Sequence, residues 1–147
     1  RTDMQINFII YGEPQGKGRP RFAHVGGRTM TFTPDRTALY ENLVAMEYRS
    51  QCGGWRFDDN AALVMEVHAY YAIPLSVSRK RRNLMQSGKL RPTKKPDWDN
   101  IGKVIADSLN QIAYRDDAQI VEARICKYYA DDPRVEVMIQ EVSIEKT

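Results

Sequence analysis

Five aspartates, Asp97, Asp99, Asp107, Asp116 and Asp117, surround Lys103 between Lys95 and Val121, with no His or Cys among them. They fall in three blocks: Lys95-Pro96-Asp97-Trp98-Asp99-Asn100-Ile101-Gly102-Lys103, Asp107-Ser108-Leu109-Asn110, and Asp116-Asp117-Ala118-Gln119-Ile120-Val121. An all-oxygen ligand set favours hard cations such as Mg2+ or Mn2+ over zinc. A cation held by carboxylates lowers the pKa of a bound water and offsets charge developing on phosphorus. Lys103 supplies a point charge for the same purpose. Metal-assisted phosphodiester hydrolysis is therefore the chemistry that uses the most residues.

Other chemistries fit less well. An EF-hand loop matches Asp97, Asp99 and Gly102 at its first, third and sixth positions, but Ile101 and Ser108 stand where an oxygen ligand and a bidentate Glu are required. No Gly-framed nucleophilic serine occurs, and neither cysteine has a nearby His, so a covalent intermediate is unsupported. Gly16-Lys17-Gly18 is too short for a phosphate-binding P-loop. Helix capping with Asp99–Lys103 and Lys103–Asp107 pairing accounts for Asp99 and Asp107, but it leaves Asp97 and the Asp116-Asp117 pair unexplained. His24 reads as a surface residue and His68 as a half-exposed packing residue.

The charge of the 147-residue chain is +3, from 22 basic and 19 acidic residues, but it is segregated. Ser76 to Pro96 holds eight basic residues, Arg79, Lys80, Arg81, Arg82, Lys89, Arg91, Lys94 and Lys95, and no acid. Pro14 to Thr33 holds Lys17, Arg19, Arg21 and Arg28, again with no acid. The two stretches carry +12 and the remainder −9. Basic blocks attract polyanions, an acidic cluster beside them repels one, and a bridging cation resolves the conflict.

The elements that must position these groups are those of one α+β domain spanning residues 1–147, a mixed sheet packed by two main helices. Strands are expected at Met4–Tyr11, Ala61–Ala72, Ala118–Ala130 and Arg134–Ser143, the last two as an antiparallel hairpin turning at Asp131-Asp132-Pro133. Gly12–Thr33 is a loop or a hairpin turning at Gly26-Gly27. A helix starts near Asp35 and runs to about Ser50, with Leu39, Leu43 and Met46 at helical spacing. A short basic helix lies between Ser76 and Gly88, capped by Ser76 or Ser78. A second main helix covers Asp99–Ile112; Ile101, Val104, Ile105, Ser108, Leu109 and Ile112 share one side, and Asp99, Lys103, Asp107 and Asn110 lie opposite within an arc of roughly 80°.

With 42% hydrophobic and 28% charged residues, the composition excludes collagen-like, disordered and disulfide-framework proteins. No apolar run is long enough to span a bilayer. Cys52 and Cys126 are expected as free thiols of a reducing, cytoplasmic setting. The start, Arg1-Thr2-Asp3, has neither a signal-peptide design nor a Met, and the expectation is a trimmed N-terminus.

Taken in order and spacing, KPDxDNxxK, DxLN and DDxQ[IV] make the chain similar to the RusA family of Holliday-junction resolvases, often of prophage origin. The loop Gly16-Lys17-Gly18-Arg19-Pro20-Arg21-Phe22 resembles one near the start of many phage members. The resemblance implies a homodimer that binds four-way DNA junctions in recombination and repair. Each subunit would nick one of two opposed strands, using Mg2+ with Mn2+ as substitute. It implies Asp97, Asp99 and Asp117 as metal ligands and Lys103 as the catalytic lysine, with Asp116 and Asp107 supporting. Lys17, Arg19, Arg21, Arg79, Lys80, Arg81, Arg82, Arg91, Lys94 and Lys95 then become DNA contacts. Trp98 reads as a packing residue against the core or the partner. Gly102, which costs a helix about 1 kcal/mol against Ala, would let a backbone approach closely. The alternatives are a non-catalytic nucleic-acid-binding protein, or a metal-dependent nuclease acting on flap DNA or RNA.

Overall fold

Alternation of apolar and polar residues builds the sheet. In Leu63–Ala72 (β4), Leu63, Met65, Val67, Ala69 and Tyr71 are buried, and the residues between them are half-exposed. The same period runs through Gln5–Tyr11 (β1) and Arg134–Glu141 (β6), which bury Ile6, Phe8, Ile10 and Val135, Val137, Ile139. With Ile120–Ala130 (β5) they form a four-stranded sheet in the order β1-β6-β4-β5. The computed structural model describes residues 4–18, 21–32 and 35–142. Of the loop and the hairpin that the sequence allows for this stretch, the hairpin forms: Arg21–Val25 (β2) and Arg28–Phe32 (β3) pair as a separate two-stranded ribbon.

The expected β5–β6 hairpin does not form. β5 pairs parallel with β4, and β6 pairs antiparallel with both β4 and β1. The short turn Asp131–Pro133 carries the chain across the end of β4, where the Pro133 carbonyl accepts from Gly12 N at 3.0 Å. Burial explains the order. Val135, Val137 and Ile139 are at most 2% exposed and need neighbours on both sides. Glu122, Ala123 and Arg124 of β5 are exposed, as an edge strand tolerates.

Two helices cover one face of the sheet. Asp35–Cys52 (α1) buries Thr37, Tyr40, Val44, Ala45 and Tyr48, not the expected stripe. Leu39 and Met46 are 70% and 57% exposed, and Leu43 is only partly buried. The helix is thus turned by about one residue, or roughly 100°. The aromatic row wins because Tyr48 stacks on Phe8 with ring centres 5.5 Å apart and its hydroxyl donates to the Trp55 carbonyl.

Trp98–Ser108 (α3) seats Ile101, Val104 and Ile105 fully buried. Each such side chain contributes roughly 1.5–3 kcal/mol of burial. The helix ends four residues before the expected Ile112. A compact turn follows, in which Tyr114 donates its hydroxyl to the Ala106 carbonyl at 2.6 Å and Gln111 adopts φ 65°. Arg79–Gln86 (α2) is the basic helix, capped by Ser78, whose Oγ accepts from Arg81 N at 3.2 Å. Cys52 and Cys126 are free, and among the described residues no helix is long and apolar enough to cross a membrane.

The N-terminal loop is stitched to the start of α3. Lys17 N donates to the Asn100 carbonyl at 3.1 Å, and Gly18 N to Thr37 Oγ1 at 2.9 Å. A Cβ on Gly16 would stand 3.0 Å from the Cβ atoms of both Asn100 and Pro96, neither of which is a flexible chain end. Gly16→Ala is therefore expected to destabilise the chain by about 1–3 kcal/mol in urea unfolding. Gly54→Ala, where nothing lies within 4 Å, is expected to cost no more than a few tenths.

Candidate active site

The apolar side of α3 faces the sheet, so its polar side looks outward over the β5 edge. There Asp99 and Lys103 of α3 and Asp117 line a groove of about 380 Å3 with Trp98, Gly102, Ala106, Ile120, Ala123 and Ile125. Asp99 and Lys103 are exposed, and Asp117 is half-buried. Trp98 is 64% exposed, so it does not pack in the core of this chain. A Cβ on Gly102 would stand 3.1 Å from Ile125 Cδ1, so a β5 side chain fills the close approach rather than the backbone expected there.

Asp97 is the N-cap residue of α3, yet its carboxylate makes no capping bond. It faces the neighbourhood of Tyr71 and Lys127. Burial first, then the charge of Asp97, raises the Tyr71 hydroxyl, while burial lowers the Lys127 ammonium against the pull of Asp97. The same two side chains hold the segment leading into the site. Tyr71 donates to the Pro96 carbonyl at 2.6 Å, and Lys127 Nζ donates to the Lys94 carbonyl at 2.6 Å. Arg91 Nε donates to the Lys127 carbonyl at 2.8 Å, and its guanidinium lies 4.1 Å from the Tyr128 ring centre.

Asp117 opens a single 3₁₀ turn, Asp117–Gln119, with exposed Asp116 as its N-cap. Two amides fix this turn, and neither was singled out as a site residue from sequence. Asn110 Oδ1 accepts from Asp117 N at 2.8 Å. Gln119 Oε1 accepts from Arg115 N and Asp116 N, and its Nε2 donates to the carbonyls of Asp58 and Ala61. The signal was present, since Asn110 closes the second motif block and Gln119 lies within the third. Their partners are backbone groups up to 61 residues away, which spacing does not reveal.

Asp107 is turned to the other flank of α3, where Lys17 Nζ bridges it at 3.2 Å to Glu41 at 2.9 Å. Burial works against the Lys17 ammonium, but the hydrogen bonds it donates to Glu41 and Asp107, with their charges, outweigh it and raise its pKa. Lys17 thus clamps the N-terminal loop onto α3 and α1. Of the other expected DNA contacts, Arg79, Lys80, Arg81, Lys94 and Lys95 are exposed. Arg82 pairs with Asp131 at 2.9 Å, and Arg91 is engaged as above. Arg21 lies in β2 and Arg19 lies outside the described residues.

The donor set suits a hard cation: Asp99 and Asp117 offer only oxygen, and Asp97 stands two residues before Asp99 with its carboxylate uncommitted to the cap. Among the described residues, however, no three carboxylate, imidazole or thiol groups already converge closely enough to hold a metal ion. Negative charge is in excess at Asp117. Burial raises its pKa, as do its hydrogen bond with Asp116 and the charges of Asp107 and Asp116.

Fold and groove define a class, a two-layer α+β protein that sets aspartates and a lysine beside a sheet edge. The family model described as endodeoxyribonuclease RusA matches residues 11–140, and the chain belongs to that family. It is also similar to the uncharacterized protein YqaN of Bacillus subtilis (strain 168), 38% identical over 143 residues that cover 94% of this chain and 97% of that protein.

A carboxyl whose folded pKa is raised favours the folded state when protonated, and that contribution is lost as pH rises from its ordinary value of 3.8 through the raised one. In EDTA, Asp117→Asn is therefore expected to melt at a higher temperature than wild type at pH 7. The gain should disappear near pH 3, where the wild-type carboxyl is protonated too. Thermal unfolding by circular dichroism at the two pH values checks this.

Proposed function

We propose that this protein is a structure-specific endodeoxyribonuclease that resolves four-way DNA junctions in recombination and repair. It would act as a homodimer, with each subunit nicking one strand in the presence of Mg2+ or Mn2+. The observation that carries the reading is the meeting of Asp99, Lys103 and Asp117 in one groove, in a chain of the RusA endodeoxyribonuclease family.

Asp97, Asp99 and Asp117 would hold the cation. When bound, it supplies a water of lowered pKa and charge neutralisation at the phosphate. Lys103 holds a positive charge on the same helix side as Asp99 and offsets charge on the phosphoryl oxygens or the leaving oxygen. Asn110 and Gln119 keep the Asp117 backbone in place, and Tyr71 and Lys127 keep the basic lead-in against β5. Exposed Arg79, Lys80, Arg81, Lys94 and Lys95 track the phosphates of the arms. Lys17 is committed to Glu41 and Asp107 and is not among these contacts.

A synthetic four-way junction tests the chemistry. Wild type should cleave it with Mg2+ and not in EDTA. Asp97→Asn should lose at least about 100-fold in rate, the scale on which electrostatic machinery contributes, with junction binding retained. Normal cleavage by that variant sinks the site assignment, and equal affinity for linear duplex and junction sinks the resolvase reading. The basic path has its own test. Replacing Arg79, Lys80 and Arg81 together by Gln should lower the log–log salt slope of junction binding by roughly 0.9 for each phosphate no longer neutralised. An unchanged slope would place the phosphates elsewhere.

A further inference from the structure

The groove beside α3 has carbon walls that a cation and a phosphate do not account for. Trp98, Gly102 and Ala106 follow one another along the helix at spacings of four residues, and all line the groove. Residues so spaced share one side of a helix, so this row runs beside that of Asp99 and Lys103. Along it the side chains shrink from an indole to a hydrogen and a methyl, which leaves open space next to the indole. Ile125 forms the floor, since a Cβ on Gly102 would stand 3.1 Å from its Cδ1, and Ile120 and Ala123 continue it along β5. The volume of about 380 Å3 is that of a small ligand cleft. Trp98 itself is 64% exposed. Among the described residues its indole takes part in no ring stack, cation–π contact or hydrogen bond, whereas Trp55 meets Phe57 edge-on at 5.8 Å. An uncovered indole that lines a cleft, rather than standing singly on the surface, marks a binding surface.

We propose that the indole of Trp98 stacks on one unpaired nucleobase whose phosphate lies on the Asp99, Lys103 and Asp117 side of the groove, and that this contact separates branched from continuous duplex DNA. The occupant follows from charge and shape together. Lys103 and the exposed Lys94 and Lys95 of the lead-in call for an anion. The carbon cleft beside them calls for a flat, apolar-faced group on the same molecule, and a nucleotide carries both. In a continuous duplex each base is paired at its edge and stacked on both faces, so the indole finds no free face there. Where strands diverge at a branch, a base leaves the stack at least cost. An aromatic ring stacks on any base, so the contact selects the shape of the DNA rather than its sequence. The inference deepens the function proposed above, and rests on it for the position of the base beside the cleaved phosphate.

Binding of the full chain in EDTA, where no cleavage enters, tests this on a synthetic four-way junction, a linear duplex, and that duplex with one bulged nucleotide. Trp98→Ala should weaken binding to the junction and the bulge about tenfold or more. Duplex binding should stay within about twofold of wild type, because the duplex offers no free base. Trp98→Leu, apolar but not flat, should lose as much as Trp98→Ala, while Trp98→Phe keeps a ring and should stay within about threefold of wild type. Abasic sites placed one at a time around the branch should include a position at which Trp98→Ala costs no more than about twofold. Because Trp98 is exposed, the variants should melt as wild type does. Variants at Trp98 that bind every one of these DNAs like wild type overturn the proposal. So does a loss shared by the duplex, or one that persists at every abasic position. A mass that falls in Trp98→Ala without DNA gives the indole to a second copy of the chain and overturns it too. The bulged duplex keeps the two readings apart. A chain that never cleaves, or that binds junction and duplex alike, fails as a resolvase, yet its preference for the bulge through Trp98 is a separate result.

Discussion

Ile101, Val104, Ile105 and Leu109 are fully buried against the sheet, and their burial sets the rotation of α3 about its own axis. A turn of one residue, about 100°, would drive Gly102 or Asp107 into the core and expose a branched aliphatic chain. The cost is several kcal/mol of lost burial and a desolvated carboxylate. With the rotation fixed, Asp99 and Lys103 can only look over β5, and Asp107 can only reach back to Lys17. The chemistry of the groove is thus a by-product of an apolar seam on the far side of the same helix.

Around that helix, the remaining contacts hold segments that have no regular structure of their own. The basic lead-in is tied to β4 and β5 through Tyr71 and Lys127, the Asp117 turn is tied through Asn110 and Gln119, and the glycine loop lies flat on Asn100 and Pro96. Most of these anchors are hydrogen bonds from side chains to backbone, made where strand and helix ladders leave main-chain groups unpaired. They hold a short, highly charged segment in place. Asp117 has a raised pKa because it is half-buried, is hydrogen-bonded to Asp116 and has the charges of Asp107 and Asp116 nearby. Under the function proposed above, the arrangement sacrifices stability at the site for charge available to an incoming cation.

Much of the architecture was legible in the sequence, because burial leaves a period behind it. β1 and β4, the ribbon, α2 and the buried side of α3 follow from alternation, caps and glycines. Two readings failed for the same reason. The stripe Leu39, Leu43, Met46 on α1 competes with Thr37, Tyr40, Val44, Tyr48, and only the partner surface, with Phe8 stacked on Tyr48, decides which is buried. The β5–β6 hairpin was favoured by a three-residue turn, but pairing is decided by which strand needs two neighbours, a property of the whole sheet.

The sequence by itself determined the inventory and its order: the three acidic blocks, their lysine, the basic approach and the helix that carries Asp99 and Lys103 on one side. These are local properties, set by residue type and spacing along one chain. The tertiary structure alone decided the company each group keeps. It drew Lys17 out of the basic path and into an ion pair, left the Asp97 carboxylate out of the cap, and brought Asp117 to the groove of Asp99. Such contacts join residues tens of positions apart, and their energies depend on burial and distance, which no spacing in the sequence records.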